Sequence, residues 1–197
     1  MAQTKKEGVR DSILEAAFRQ FSERGYLDTS IPAIAREAGI STANVYVYFE
    51  SKLEILYTLY EPWLTERLDK LDRSLRAVKD PRDRFQRLLT ALWRDLPREN
   101  NGFANNVMQA LSTTSGEGYS PKLRELFQTR VAQWIEECLP IPRQGSIQLA
   151  GVLLMAFDGY AMNAHLSNGI TCDAGTLRLF RDMLTGRSGI EFPAQGA

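Results

Sequence analysis

The chain has 197 residues, of which 44% are hydrophobic and 24% are charged, and its 24 Lys+Arg balance 24 Asp+Glu to a net charge of zero. This composition excludes a disordered chain, and a neutral chain gives no argument for nucleic-acid binding from bulk charge. The longest apolar run, 149–157, is far shorter than the ~20 residues of a membrane helix. With no secretory leader to be recognised, the sequence predicts a cytoplasmic protein without a membrane segment.

Apolar residues recur at helical spacing along nearly the whole chain, which predicts an all-α fold of about nine helices. The expected helices are 6–24, 31–38, 42–49, 51–78, 81–96, 104–113, 121–138, 146–166 and 174–184. Four of them are preceded by residues whose side chains favour the N-cap position, Ser30, Ser41, Asp80 and Asp173. Gly25 stands at the end of the first helix and is its expected stop.

The second and third helices are joined by residues 38–41, a four-residue connection with Gly39 in the turn. A short Gly-containing turn between two helices is typical of a helix-turn-helix, although ordinary helical packing can produce the same pattern. The small core of this unit is expected to contain Ile34, Ile40, Val45 and Phe49. That arrangement leaves the other positions of the third helix free to reach base edges in the major groove of DNA.

The candidate helix-turn-helix contains two characteristic runs, TSIPAIAREAGIS at 29–41 and VYVYFESK at 45–52, with Leu56 beyond them. These runs resemble the DNA-binding signature of the tetracycline-repressor (TetR) family of bacterial regulators, and the resemblance covers about residues 8–57. The remainder is similar to the family only in architecture. The resemblance implies a three-helix helix-turn-helix DNA-binding domain at 1–51, followed at 52–197 by a helical effector-binding and dimerisation domain.

Carried over by position, the resemblance implies that part of the third helix faces the bases and that its neighbours hold phosphates. The residues expected to face bases are Thr42, Ala43, Asn44 and Val47, and those expected to hold phosphates are Tyr46, Tyr48 and Lys52, with Ser30 also placed toward a phosphate. An Asn side chain can bond adenine at two points, apolar side chains can meet a thymine methyl, and hydroxyl or ammonium groups donate to phosphate. The alternatives are core packing for the two tyrosines and a solvated surface charge for the lysine.

The sequence departs from the family pattern at Ala43, Tyr48 and Leu53, where Gly, His and an acidic residue are frequent. Residues 1–52 also carry seven Lys/Arg and seven Asp/Glu, so positive charge must be localised, chiefly at Lys5, Lys6, Arg10 and Lys52. We therefore expect a modest dependence of DNA binding on salt. The neutral segment keeps an alternative open, a helical protein-interaction module of the same fold that no longer binds DNA.

The last two helices are the expected dimer interface, because a small helix-turn-helix gains affinity by pairing with a symmetric copy on a palindromic site. The residues expected there are Gly151, Ala156, Gly159, Leu177, Phe180, Met183 and Leu184. The resemblance implies a homodimer with a four-helix interface. The alternative is that these helices pack only within one chain.

The C-terminal helices are expected to bind an unknown small-molecule effector, with no cofactor and no metal. The candidate contacts are aromatic, methionine and inward-placed polar residues: Trp93, Phe103, Met108, Trp134, Met155, Asp158, Met162 and His165. A buried carboxylate such as Asp158 needs a partner, which could be a ligand amine, a dimer hydrogen bond or an internal network. The expected function is a repressor released from its operator when the effector tilts the helix beginning at Lys52.

An enzyme is the main rival from another class. The chain has one His and two Cys, Cys138 and Cys172, which lack the spacing of a metal site. It also has no Gly-rich phosphate loop, so nucleophiles and bases for catalysis are few. The sequence therefore predicts a protein that is not an enzyme.

Overall fold

The computed structural model describes residues 2–98, 102–114, 121–164 and 172–186, and this part of the chain is all-α, with nine helices and no strand. The helices are α1 (Ala2–Asp28), α2 (Ile31–Glu37), α3 (Thr42–Tyr46), α4 (Lys52–Arg76), α5 (Pro81–Thr90), α6 (Phe103–Thr113), α7 (Lys122–Cys138), α8 (Arg143–Ala164) and α9 (Ala174–Leu184). The predicted fold class is confirmed.

The predicted N-caps hold the helix starts. Ser30 accepts a hydrogen bond from the amide of Ala33, and Ser41 accepts one from Asn44. Asp80 and Asp173 cap α5 and α9 through backbone amides in the same way. Because each cap satisfies a donor that the helix itself leaves free, these starts follow from local sequence alone.

The end of α1 is more complex than the predicted stop. Gly25 has φ 81° and ψ 169°, which breaks the helix, yet one further turn follows it to Asp28. This region of backbone space is accessible almost only to glycine. The last turn therefore leaves the axis of α1 and leads directly into α2.

Two helices, α3 and α5, end well before their predicted ends at 49 and 96. The α-helical part of α3 ends at Tyr46, and tighter turns carry the chain on to Phe49. Likewise α5 ends at Thr90 and continues as a π turn over Ala91–Asp95 and a 3₁₀ turn over Leu96–Arg98. Leu96 keeps α-helical backbone angles, but Pro97 has no amide N–H and cannot donate the next α-helical hydrogen bond.

The chain forms two compact units. The first unit is made of residues 1–68 and 99–127, so it contains α1 to α3, α6 and the first parts of α4 and α7. Its buried side chains include Ile13, Phe21, Ile34, Val45, Phe49, Leu56, Tyr60, Leu64 and Ala110. Thus α6, which is distant in sequence, shares a core with the helix-turn-helix.

The second unit is made of residues 69–98 and 128–197. Its buried side chains include Leu75, Phe85, Leu88, Leu92, Trp134, Ile135, Leu153 and Leu177. Among the described helices, none combines the length and the apolar character needed to cross a membrane.

Candidate nucleic-acid interface

The α2–turn–α3 segment has the geometry of a helix-turn-helix. Gly39 lies in the turn with φ 70°, a left-handed conformation that lets the chain reverse within four residues. The Ile40 amide donates to the carbonyl of Ala35 and closes the turn. The expected small core is present, since Ile34, Val45 and Phe49 are buried, while Ile40 is only half-buried.

A polar cluster fixes α2 against α1. The carboxylate of Glu37, at the end of α2, accepts hydrogen bonds from Arg19 Nε and Gln20 Nε2 of α1. These bonds, that of Arg19 first, hold the pKa of Glu37 below its ordinary value. Two donors from one helix therefore restrain the pose of the other.

The outward face of α3 carries the predicted DNA-contacting residues. Tyr46 is 55% exposed and Val47 72% exposed, although both are large and apolar or aromatic. Ser30 and Ala43 are also exposed, and the other predicted contacts on this segment, Thr42, Asn44 and Tyr48, are half-buried. Val45, on the same helix, is fully buried. The roles of the predicted contacts toward bases and phosphates stay predictions.

Lys52 occupies an unexpected position. Its ammonium group donates to the carbonyl oxygens of Tyr26 and Thr29, each 2.7 Å away, and lies 4.1 Å from the centre of the Tyr26 ring. The group therefore ties the start of α4 to the connection between α1 and α2. The next residue, Leu53, stands where the family frequently has an acidic residue. Its side chain is buried, which explains why an apolar residue is found there.

Two residues of α6 contact α1 and were not among the sequence-derived candidates. Gln109 Oε1 accepts a hydrogen bond from the amide of Leu27, at 3.0 Å. Asn106 is buried and its Nδ2 donates to the carbonyl of Phe21, at 3.1 Å, and to the Tyr60 hydroxyl, at 2.9 Å. The signal that could have marked Asn106 is its spacing four residues before the buried Ala110, on the inner face of α6.

The expected effector contacts are divided between the two units. In the first unit, Met108 is half-buried. In the second unit, the Trp93 ring packs edge-on against Phe180 at 5.5 Å, and Trp134 Nε1 donates to the Asp72 carboxylate at 2.9 Å. Met155 is exposed on α8 and Asp158 is half-buried. The side chains of Phe103 and Met162, and all of His165, lie outside the described residues.

The expected dimer residues divide between an inner and an outer face. Leu177 is buried within the chain and Phe180 packs on Trp93. Ala156, Gly159 and Met183 are exposed, and Gly151 and Leu184 are half-buried. Three further apolar residues of these helices, Val152, Met155 and Leu179, are also exposed and were not assigned to the dimer interface from sequence.

Cys138 is a buried free cysteine. Burial raises the pKa of the Cys138 thiol to about 11, which keeps it protonated and unreactive at neutral pH. Among the described residues, no group of three or more His, Cys, Asp or Glu is arranged to hold a metal ion.

Comparison with known proteins identifies the segment that carries the helix-turn-helix. Residues 13–57 match the family model described as bacterial regulatory proteins, tetR family. The chain is 37% identical over 87 residues to the HTH-type transcriptional regulator HbdR of Aromatoleum sp. (strain CIB), a match that covers 44% of this chain and 37% of that relative. The match spans well under two thirds of the length of the first curated relatives, at 37%, 41% and 46%.

Solved structures resemble the chain over nearly its whole length. The transcriptional regulator FadR from Bacillus subtilis, in complex with stearoyl-CoA, has a TM-score of 0.64 at 15% identity and covers 89% of this chain and 97% of its own. Thermus thermophilus FadR, a TetR family transcriptional repressor in complex with lauroyl-CoA, has a TM-score of 0.63 at 20% identity and covers 95% of this chain and 100% of its own. At these identities the likeness establishes the fold.

Proposed function

We propose that the chain is a transcriptional regulator of the tetR family of bacterial regulatory proteins, which binds operator DNA and responds to a small-molecule effector. The observation that carries the proposal is the outward face of α3. Tyr46 and Val47 are exposed there, while Val45 is fully buried, and the turn joins α3 to α2, which Arg19 of α1 in turn bonds through Glu37. An exposed recognition surface on a restrained short helix is what reading the major groove requires.

We assign DNA binding to residues 1–51 and effector binding and dimerisation to residues 52–197. Base contacts are proposed for Thr42, Ala43, Asn44 and Val47, and phosphate contacts for Ser30, Tyr46 and Tyr48. Arg10 lies 5.3 Å from the centre of the Phe49 ring, which places one of the expected positive charges beside this surface. The proposal places the protein in the cytoplasm, where bacterial DNA lies, and assigns it no enzymatic activity.

A homodimer follows from the same proposal, with a palindromic operator as its partner. Exposed apolar side chains lie on α8, at Val152 and Met155, and on α9, at Leu179 and Met183. Small exposed residues on α8, Ala156 and Gly159, would allow close approach of a second copy. Pairing would bury this surface, which one chain leaves in water, and that burial favours association.

Effector release can be argued from α6. This helix is bonded to α1 through Gln109 and Asn106, so a ligand that moves α6 would change the support of the helix-turn-helix. A ligand shifts the balance only by binding one arrangement more tightly than the other. We propose repression relieved by an apolar effector. The first compounds to test are acyl-CoA thioesters, because two similar structures contain them.

The experiment is fluorescence anisotropy of the protein with labelled DNA from upstream of its own reading frame, with a scrambled duplex as control, over a series of salt concentrations. The proposal expects preference for the upstream duplex and weaker binding at higher salt. Stearoyl-CoA and lauroyl-CoA are then titrated against the complex, with coenzyme A alone as the matched control. Equal weak binding to both duplexes contradicts an operator in that region and favours the interaction-module alternative.

A further inference from the structure

Lys52 is held by groups inside the first unit. An ammonium group has three N–H donors and no acceptor. Two carbonyl oxygens, of Tyr26 and Thr29, each receive a hydrogen bond of 2.7 Å from it, and the face of the Tyr26 ring lies 4.1 Å from the same nitrogen. The donors are thus directed toward the connection between α1 and α2.

The carbonyl groups at the end of α1 are stabilised by a positive charge. The break at Gly25 interrupts the helical bonding just before Tyr26, and α1 has no basic residue in its last turn. The carbonyl end of a helix carries partial negative charge and is stabilised by a cation. Tyr26 and Thr29 are buried, so their carbonyl oxygens need donors from within the protein, and the Tyr26 carbonyl accepts one long backbone bond, of 3.4 Å, from the Thr29 amide. Lys52 supplies the positive charge and the hydrogen-bond donors, although it lies 26 and 23 residues away in sequence from Tyr26 and Thr29.

The surroundings of the ammonium fit an internal tie. The residue is half-buried, and desolvation lowers its pKa, while the nearby Asp28 acts in the opposite direction. A lysine that serves a phosphate normally keeps its ammonium in water until DNA arrives. Here the head group is already bonded to two carbonyl oxygens.

We propose that Lys52 is a positioning residue, which fastens the α1–α2 connection to the start of α4 and thereby sets the pose of the recognition helix, without contacting a phosphate of the operator. The inference rests on the proposed function only in the part that concerns DNA binding. The structural arm, the tie between α4 and residues 26–29, can be tested on the free protein.

The experiment compares three full-length variants. Lys52→Met keeps the apolar stem and removes the charge, Lys52→Arg keeps a cation with different donor geometry, and Lys79→Met removes an exposed lysine of the second unit as the matched control. Each is measured by thermal unfolding, by hydrogen exchange of peptides covering residues 26–31, and by the salt dependence of binding to a duplex enriched by the wild-type protein from a random library.

The inference expects Lys52→Met to unfold about 3–8 °C below the wild type and to exchange faster at residues 26–31. Its DNA affinity falls, but the slope of log affinity against log salt stays that of the wild type. Lys52→Arg keeps the slope and recovers only part of the unfolding temperature, and Lys79→Met resembles the wild type throughout. A phosphate contact would behave differently, because each one lost lowers the slope by ~0.9.

Either of two results overturns the inference. One is a slope lowered by ~0.9 per subunit in Lys52→Met, whatever its unfolding temperature. The other is an unfolding temperature and a hydrogen-exchange rate in Lys52→Met equal to those of the wild type, which would show that the Lys52 hydrogen bonds do not stabilise the structure. If the wild type enriches no duplex at all, the proposed function fails, while the unfolding and exchange measurements still decide the role of Lys52.

Discussion

Gln109 on α6 accepts a hydrogen bond from the backbone amide of Leu27, 82 residues earlier in the chain and in the last turn of α1. This bond joins a helix outside the matched family segment to the turn that leads into the helix-turn-helix. Gly25 lies against the same side chain, since a Cβ atom at that position would stand 2.9 Å from Gln109 Oε1. A movement of α6 would therefore displace the end of α1 and, through it, the helix-turn-helix.

Replacing Gln109 tests that connection. In Gln109→Ala the Leu27 amide loses its partner but lies on an exposed residue, so water replaces the bond and stability falls by only about 0.5–1 kcal/mol. We expect faster hydrogen exchange at Leu27 and a smaller effector-induced loss of DNA affinity. The matched control is Gln133→Ala, at an exposed position of α7 in the second unit. An effector response equal to that of the wild type would contradict a role for this bond in release.

Gly25 tests the break in α1. Its backbone, at φ 81° and ψ 169°, is strained for any other residue, so Gly25→Ala should lower the free energy of unfolding by about 1–3 kcal/mol. Gly8→Ala is the control, because Gly8 is an exposed helical position with nothing within 4 Å of an added Cβ. That change should raise the free energy of unfolding by ~0.5–1 kcal/mol. Urea unfolding of both variants decides the matter, and equal effects would contradict the strain.

The same substitution, Val→Ala, at positions 45 and 47 distinguishes an effect on folding from an effect on DNA recognition. Val45 is 0% exposed and Val47 72% exposed, only two positions apart in α3 and its cap. Val45→Ala should cost about 1–3 kcal/mol of stability through a core cavity. Val47→Ala should leave unfolding within about 0.5 kcal/mol of the wild type and weaken operator binding about fivefold or more. Urea unfolding and anisotropy are the measurements, and an unchanged affinity for Val47→Ala would remove it from the interface.

The Glu37 carboxylate makes the α1–α2 contact sensitive to acid. Its hydrogen bonds to Arg19 and Gln20 lower its pKa from 4.5, so folding favours the ionised form. A lowered pKa in the folded state contributes stability above the unfolded pKa, and that contribution is lost as pH falls through the folded pKa. The wild type should therefore be more stable than Glu37→Gln at pH 7, and the difference should shrink progressively below about pH 4.5. Urea unfolding of both proteins at pH 7, 5 and 3 measures it, and a constant difference would contradict the assignment.

The exposed face of α8 and α9 predicts self-association. Val152→Glu places a charge on this face without touching the core, because the side chain is 52% exposed in one chain. In a homodimer the charge would be buried without a partner, so we expect a monomer by sedimentation velocity with helical content unchanged. Gln133→Glu, a new charge at an exposed site on α7, should leave the association unchanged. A wild type that sediments as a monomer at micromolar concentration would contradict the dimer.

The sequence predicted most of what depends on near neighbours in the chain. Ser30, Ser41, Asp80 and Asp173 cap their helices as expected, because an N-cap bonds amides only two or three residues ahead. Helical periodicity likewise placed Val45 and Phe49 in the core. The extents of α3 and α5 were less predictable, because tight and wide turns at helix ends depend on packing.

By itself, the sequence determined the all-α class, the four capped helix starts, the glycine turn and the family signature, because each depends on residues that are close together in the chain. Only the tertiary structure decided which groups meet across long stretches of chain. It directs the Lys52 ammonium to carbonyl oxygens of Tyr26 and Thr29, and it brings Gln109 to Leu27. It also turns Leu177 inward while leaving Val152 exposed. The physical reason is that periodicity gives a helix its apolar stripe, whereas the rotation and partner of each stripe follow from packing.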